Sequence, residues 1–329
     1  MNGGDIANRL DKEWLVLSPA EIAAMLGVTG EELMEYCGKL YPGMDLRYKA
    51  IGSEGRDGVI LDVLKRLESG AFTASGRERL PHWEKGWGES LGKFEEELDD
   101  KALIPAYVRP GGILRINGGY ARGADSFLEL SFYTLLRTTL FSKYFSGVES
   151  VYEFGCGTGY NLVMLARMYP EKNLFGLDWA STSVKLVDRI AAHYKFRLAG
   201  FRFDMYNPDY NLSMPPGSAV LTLNSMEQLG GKWESFLNFL LLKKPALCVH
   251  AEPFAELYNQ DSLIDYLALK YHRARGYLNG FLTKLVELER AGRIEILTVN
   301  RVPFGSCFHE GYSIAAWRPL PGAGEPGNT

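Results

Sequence analysis

Apolar residues in the second half of this chain gather into short runs set between helical patterns. Runs at 151–154, 174–177, 200–203, 219–223, 246–250, 294–300 and 312–317 read as strands. Helical periodicity fills most of the gaps, at 162–168, 183–193 and 233–242, and a longer pattern over 262–291 reads as one helix. Such alternation predicts a largely parallel sheet with helices on both faces. The last two strands have only a short connection, so they are expected to pair antiparallel as a hairpin. The first hundred residues read as short helices. Ser18 with Pro19 and Glu21 opens one as a capping box, a Gly27-Val28-Thr29-Gly30 turn leads to a second, and 59–67 forms a third.

These patterns divide the chain into a helical N-terminal region over 1–105, expected to cover the acceptor pocket or make a dimer contact, an α/β domain over 106–320 and a disordered tail rich in Pro and Gly over 321–329. The 329 residues are 46% hydrophobic, enough for one large domain with an appendage. Charge separates the two parts: residues 1–100 hold 12 basic and 20 acidic side chains, whereas the remainder is slightly basic. A net charge of -4 argues against nucleic acid or an anionic membrane as partner. The four cysteines, Cys37, Cys156, Cys248 and Cys307, have neither metal-binding nor disulfide-framework spacing, which suits a reducing cytoplasm. The start, Met1-Asn2-Gly3-Gly4-Asp5, does not read as a signal peptide, and no window is long and apolar enough to span a bilayer.

The chemistry concentrates at Glu153-Phe154-Gly155-Cys156-Gly157-Thr158-Gly159-Tyr160-Asn161, where the first strand of the sheet turns into a helix. Three alternate glycines let the backbone come close to a ligand. The spacing G-x-G-x-G differs from the dinucleotide fingerprint G-x-G-x-x-G, which counts against a nicotinamide or flavin enzyme. Glu153, two positions earlier, suits a ligand bearing an ammonium group better than a pyrophosphate. Asp178 ends the second strand and is placed to accept two ribose hydroxyls. Asp204 ends the third and is placed to accept from an adenine amino group.

Together these residues resemble the class I S-adenosylmethionine-dependent methyltransferases. The resemblance implies a Rossmann-like, seven-stranded sheet with an inserted antiparallel last strand. It implies S-adenosylmethionine as cofactor and S-adenosylhomocysteine as product. Gly155, Cys156, Gly157, Gly159 and Asn161 would then lie along the methionyl part and ribose, Asp178 on the ribose, and Asp204 and Met205 on adenine. Trp179 would pack on that ring, and Asn224 would stand near the methionyl amine or the acceptor. The family often places a lid where Tyr107, Arg115, Asn117, Tyr120 and Glu129 occur, with Gly111-Gly112 and Gly118-Gly119 either as its hinges or as plain loops. The C-terminal part also resembles uncharacterised methyltransferases associated with bacterial glycan clusters.

An alcohol acceptor needs a base at the carboxyl edge of the sheet. His309 leads, with Glu252 and Glu227 behind it, whereas His250 beside Cys248 has the setting of a satisfied interior histidine. No metal is expected. Arg301, or His272 with Arg273 and Arg275, is placed to bind an anionic acceptor, and Trp83 and Trp87 have the character of a sugar-binding cleft or an apolar plug. The expected function is therefore O-methylation of a polar small molecule, a sugar or sugar nucleotide in class, by a cytoplasmic protein, with a homodimer as a further expectation. Methylation of a small-molecule amine is the alternative, although the segment after strand four lacks the N-P-P-Y pattern of planar-amine methylation. A rival of another class is a cofactor-binding regulator that holds DNA through residues 20–40, which have a helix-turn-helix look. Glu31, Glu32 and Glu35 against Lys39 oppose that reading.

Overall fold

The computed structural model describes residues 13–320, so the first twelve residues and the 321–329 tail lie outside it. In chain order the elements are β1 (Leu15–Val16), α1 (Pro19–Leu26), α2 (Gly30–Cys37), β2 (Arg47–Ala50), α3 (Ser53–Glu68), α4 (Leu80–Glu97), β3 (Leu114–Ile116), β4 (Gly119–Gly123) and α5 (Leu128–Phe145). They continue with β5 (Ser150–Phe154), α6 (Tyr160–Met168), β6 (Asn173–Asp178), α7 (Ser181–Tyr194), β7 (Leu198–Arg202), β8 (Ser218–Leu223), α8 (Glu234–Lys243) and β9 (Leu247–Glu252). The last are α9 (Leu263–Arg275), α10 (Phe281–Arg290), β10 (Ile294–Asn300), β11 (Phe304–Ser306) and β12 (Ser313–Pro319).

The main sheet runs β10-β12-β9-β8-β5-β6-β7. Strands β5 to β9 are mutually parallel, and β12 inserts antiparallel between β9 and β10. This is the Rossmann-like, seven-stranded sheet of the class I methyltransferase fold. Residues of β5, β8 and β9 are buried throughout because helices cover both faces. Phe132, Leu162 and Leu186 pack on one face, and Phe236, Phe239 and Leu285 on the other. The order reverses direction between β5 and β8, and sheets of this kind take ligands in the crevice at the carboxyl ends of the strands beside such a switch point.

The N-terminal region is not purely helical. Strands β1 and β2 join β4, β3 and β11 in a second, antiparallel sheet, so a boundary at residue 105 cuts across shared hydrogen bonding. Leu17, Ile22, Leu26, Leu33 and Cys37 also merge with the core on one face of the main sheet. The expected capping box forms, with Glu21 N–H donating to Ser18 Oγ at 3.2 Å, and a second one opens α2, where Glu32 N–H donates to Thr29 Oγ1 at 3.1 Å. The pair Asn117-Gly118 makes the β3–β4 hairpin turn, with φ of 51° and 77°, and is not a lid hinge. The helix expected over 262–291 is two helices. Gly276, at φ 60°, ends α9 in the left-handed conformation and Gly280, at φ 82°, precedes α10. Among the described residues no helix is long and apolar enough to cross a membrane.

Candidate active site

The glycine loop leaves β5 with left-handed φ values of 74° at Gly155, 53° at Gly157 and 73° at Gly159. The amides of Gly155 and Cys156 both donate to Leu177 O, at 2.7 and 3.1 Å, which ties the loop to the end of β6. A Cβ on Gly155 would come within 2.3 Å of Ser225 Cβ, so glycine is required there by close packing as well as by φ. Asp178 accepts from the Gly157 and Ala180 amides, each at 2.9 Å. Its carboxylate has room for further donors beyond these two. Burial pushes Asp178 up to about 6 against the pull of the Ala180 and Gly157 amides.

Glu153 and Asn161 face inward as a pair. Asn161 Nδ2 donates to Glu153 Oε1 at 2.6 Å, and Tyr133 Oη donates to Asn161 Oδ1 at 3.1 Å. Burial pushes Glu153 up to about 8, and its Oε2 is buried with no partner. The Cys156 thiol turns away from the crevice toward Ser183 Oγ, 3.5 Å distant, and burial raises it well above its ordinary value. Asp204 is ion-paired with Arg77 and accepts the Tyr206 amide at 2.9 Å. Trp179 leans on Tyr206 with ring centroids 5.9 Å apart, and the Met205 methyl lies beside Gly155.

The other side of the crevice follows β8. Asn224, at φ 52°, donates from Nδ2 to Gly311 O at 2.7 Å, and its Oδ1 is buried without a partner. That bond brings the segment carrying His309 to the end of β8. His309 Nδ1 lies 3.2 Å from His272 Nε2, and Tyr271 and Tyr277 flank the ring. Burial, then the charges of His272, Arg115 and Arg275, hold His309 well below the usual histidine range, so its imidazole is neutral at pH 7.

Glu252 is placed differently. It is fully buried and accepts the amides of Ser225 and Met226 at 3.0 Å and of Glu227 at 3.3 Å. It thus fixes the turn after β8, a positioning role that leaves little of the carboxylate for a substrate proton. Glu227 accepts from Gln228 Nε2 at 2.8 Å. Burial, then the charge of Glu252, push Glu227 up to about 8. A carboxyl with that pKa carries its own proton at pH 7.

The N-terminal region adds Arg79 and Glu84 to the expected Trp83 and Trp87. On α4, Glu84 accepts the Ser181 and Thr182 amides at 2.7 and 3.0 Å, capping the first turn of α7 beside Asp178. Arg79, Trp83 and Trp87, four apart, form a ladder. The Arg79 guanidinium lies 5.1 Å from the Trp83 ring, and the two indoles stack at 5.3 Å. A Cβ on Gly157 would come 3.0 Å from the Trp87 indole, so the ladder ends on the glycine loop. The i, i+4, i+8 spacing was the available signal.

Several expected residues serve the fold instead. Arg301 is saturated by Asp265 and Glu310, both at 2.6 Å, and is no free anion site. Arg115 is wholly buried, donating to Ile264 O at 2.9 Å, and Tyr120 is buried as well, so neither belongs to a lid. His250 is an interior histidine between Thr222 Oγ1, at 2.8 Å, and Trp317 Nε1, at 3.0 Å. His272 is buried and Arg273 exposed, which splits that expected cationic pair.

No protein-family model matches the chain, and no curated protein matches it in sequence. Solved structures do resemble it. One is an O-methyltransferase from neocarzinostatin biosynthesis in complex with S-adenosylmethionine and 2-hydroxy-5-methyl naphthoic acid, 15% identical with a TM-score of 0.39. That alignment spans 59% of this chain and 58% of the other. A second is a geranyl diphosphate methyltransferase in complex with GPP and sinefungin, 12% identical with a TM-score of 0.44, over 73% of this chain and 99% of that one. A third is the cyclase SpnF, 14% identical with a TM-score of 0.45, over 70% and 92%. These likenesses concern the fold, and the strand order and glycine loop of the chain itself place it in the class I methyltransferase fold.

Proposed function

We propose that the protein is an S-adenosylmethionine-dependent methyltransferase acting on a hydroxyl oxygen of a polar small molecule, a sugar or sugar nucleotide in class. One observation carries the reading: the left-handed glycine loop at the end of β5 is bonded to Asp178 at the end of β6, beside the switch point of the sheet. Among the described residues, Asn224 Oδ1 and Gln228 Oε1, just past β8, are buried acceptors without a partner and suit a donor with an ammonium group and hydroxyls. Bound there, S-adenosylmethionine supplies a methyl carbon activated by its sulfonium, and breaking that C–S bond returns the electron pair to sulfur as S-adenosylhomocysteine.

With the electrophile already activated, the task of the chain is to align the acceptor oxygen and remove its proton. His309 fits the second task. Its ring is neutral at pH 7, its Nδ1 is held by His272, and Nε2 makes no hydrogen bond among the described residues. Glu227 is protonated at that pH and Glu252 is engaged by three amides, so His309 is the group able to take a proton. The stacked Trp83 and Trp87 offer a surface for a sugar or base ring.

The test is transfer of a labelled methyl group from S-adenosylmethionine to a panel of sugar nucleotides, with S-adenosylhomocysteine release measured in parallel. The reading expects turnover on at least one member and its loss in His309→Ala with donor binding intact. Turnover confined to amines would refute the oxygen assignment.

A further inference from the structure

We propose that Arg79 and Arg275 form an anion-binding subsite, so that the acceptor carries a phosphate or carboxylate group near the hydroxyl to be methylated. The methylated hydroxyl rests on the reading above; the subsite itself rests on the two guanidinium groups. Arg79 precedes α4 and Arg275 closes α9, about two hundred positions apart in sequence. The fold nevertheless brings the two segments together: the Ser75 amide donates to Arg275 O at 2.7 Å and Ser75 Oγ to Gly276 O at 2.6 Å, four positions before Arg79. Burial, then the charge of Arg275, also hold Arg79 below its ordinary value.

Like charges gathered in a half-buried place call for a counter-ion. Among the described residues neither guanidinium takes part in an ion pair. Glu227 is the carboxyl placed to act on both, but burial pushes it up to about 8, which leaves it mostly uncharged at pH 7. Arg275 donates to Thr73 O and, at 3.1 Å, to Tyr277 Oη, yet its Nε is buried without a partner. Arg79 Nε is buried without a partner too. Unpaired buried N–H groups are costly, and a planar or tetrahedral oxyanion is the ligand whose geometry two guanidinium forks satisfy. The place also matches the chemistry. The Arg275 guanidinium lies 5.0 Å from the Tyr277 ring, which flanks His309, and Arg79 stacks on the Trp83–Trp87 ladder that ends at Gly157. The subsite therefore adjoins both the proton acceptor and the glycine loop.

The experiment is calorimetric titration of the full chain, without other ligands, with inorganic pyrophosphate in one arm and glucuronate in the other. The arms separate a phosphate-bearing from a carboxylate-bearing acceptor. We expect one of them to bind, and Arg79→Gln and Arg275→Gln each to weaken it by roughly tenfold or more. Arg273→Gln, on the exposed side of α9, should leave that affinity unchanged. If Arg275→Gln fails to fold, Arg275→Lys reads the same contact, because it keeps the charge and loses the fork. Binding of neither anion, or binding indifferent to these substitutions, would overturn the proposal. S-adenosylhomocysteine is titrated separately. Its failure to bind would refute the methyltransferase reading and leave the anion result to stand alone.

Discussion

Replacing Glu227 by glutamine should stabilise the protein, and more so as pH rises. The side chain is 9% exposed, and its folded pKa is raised from 4.5 to about 8 by burial and then by Glu252. A folded pKa above the unfolded one makes stability greatest below about 4.5; it then falls as pH rises and levels off above about 8. Each pH unit in that interval costs about 1.4 kcal/mol, so holding this carboxyl neutral at pH 7 costs about 3 kcal/mol. The amide introduced by Glu227→Gln would keep the oxygen that accepts from Gln228 Nε2 and would have no proton to hold. The substitution should therefore raise the melting temperature at pH 7 by on the order of 5 °C and leave it nearly unchanged at pH 5. Other raised carboxyls, such as Glu153 and Asp178, are common to both proteins and largely cancel in the comparison. Thermal unfolding by calorimetry from pH 5 to 8 reads the difference. Parallel curves would mean that Glu227 is ionised in the fold. That would return a carboxylate to the two arginines and a competing base to the crevice.

Four other outcomes follow from the same geometry. With His309 as the base, turnover should be flat between about pH 6.5 and 8, because its imidazole is already neutral; a rise through pH 8 would point to Glu227. His309→Ala should lower turnover about a hundredfold or more at unchanged donor affinity. Glu84→Ala uncaps α7, which should cost about 1 kcal/mol and open residues 77–97 to limited proteolysis. Arg301→Met leaves Asp265 and Glu310 buried without their cation, so chemical denaturation should show a loss of about 3–5 kcal/mol.

The sequence and the structure agree where the information is local. Strand, glycine turn and helix are contiguous from Ser150 to Met168, and periodicity with three alternate glycines was enough to find them. The acids at the strand ends, Asp178 and Asp204, were legible for the same reason. Strands β2, β3 and β11 were not. Each has only three or four residues, too few for a two-residue period to stand out, and β2 and β11 are also defined by partners far away in the chain. The break between α9 and α10 was written in Gly276 and Gly280, but the apolar periodicity on either side masked it. The least legible feature was how the N-terminal region meets the main sheet. Arg79, Glu84 and Trp87 matter through where α4 docks, and nothing in their own segment specifies Ser181 or Gly157 as neighbours. Likewise, the separation of Glu252 from Glu227 into an amide-bound anchor and a protonated carboxyl depends on hydrogen bonds that spacing cannot supply.

The central claim is that Asp178 and the glycine loop hold S-adenosylmethionine. Calorimetric titration of the full chain with S-adenosylhomocysteine, with NAD in parallel, tests it most directly. The account predicts binding of S-adenosylhomocysteine alone, weakened at least tenfold in Asp178→Ala through loss of charge-assisted hydrogen bonds. Binding of NAD instead, or S-adenosylhomocysteine affinity unchanged in Asp178→Ala, would contradict it.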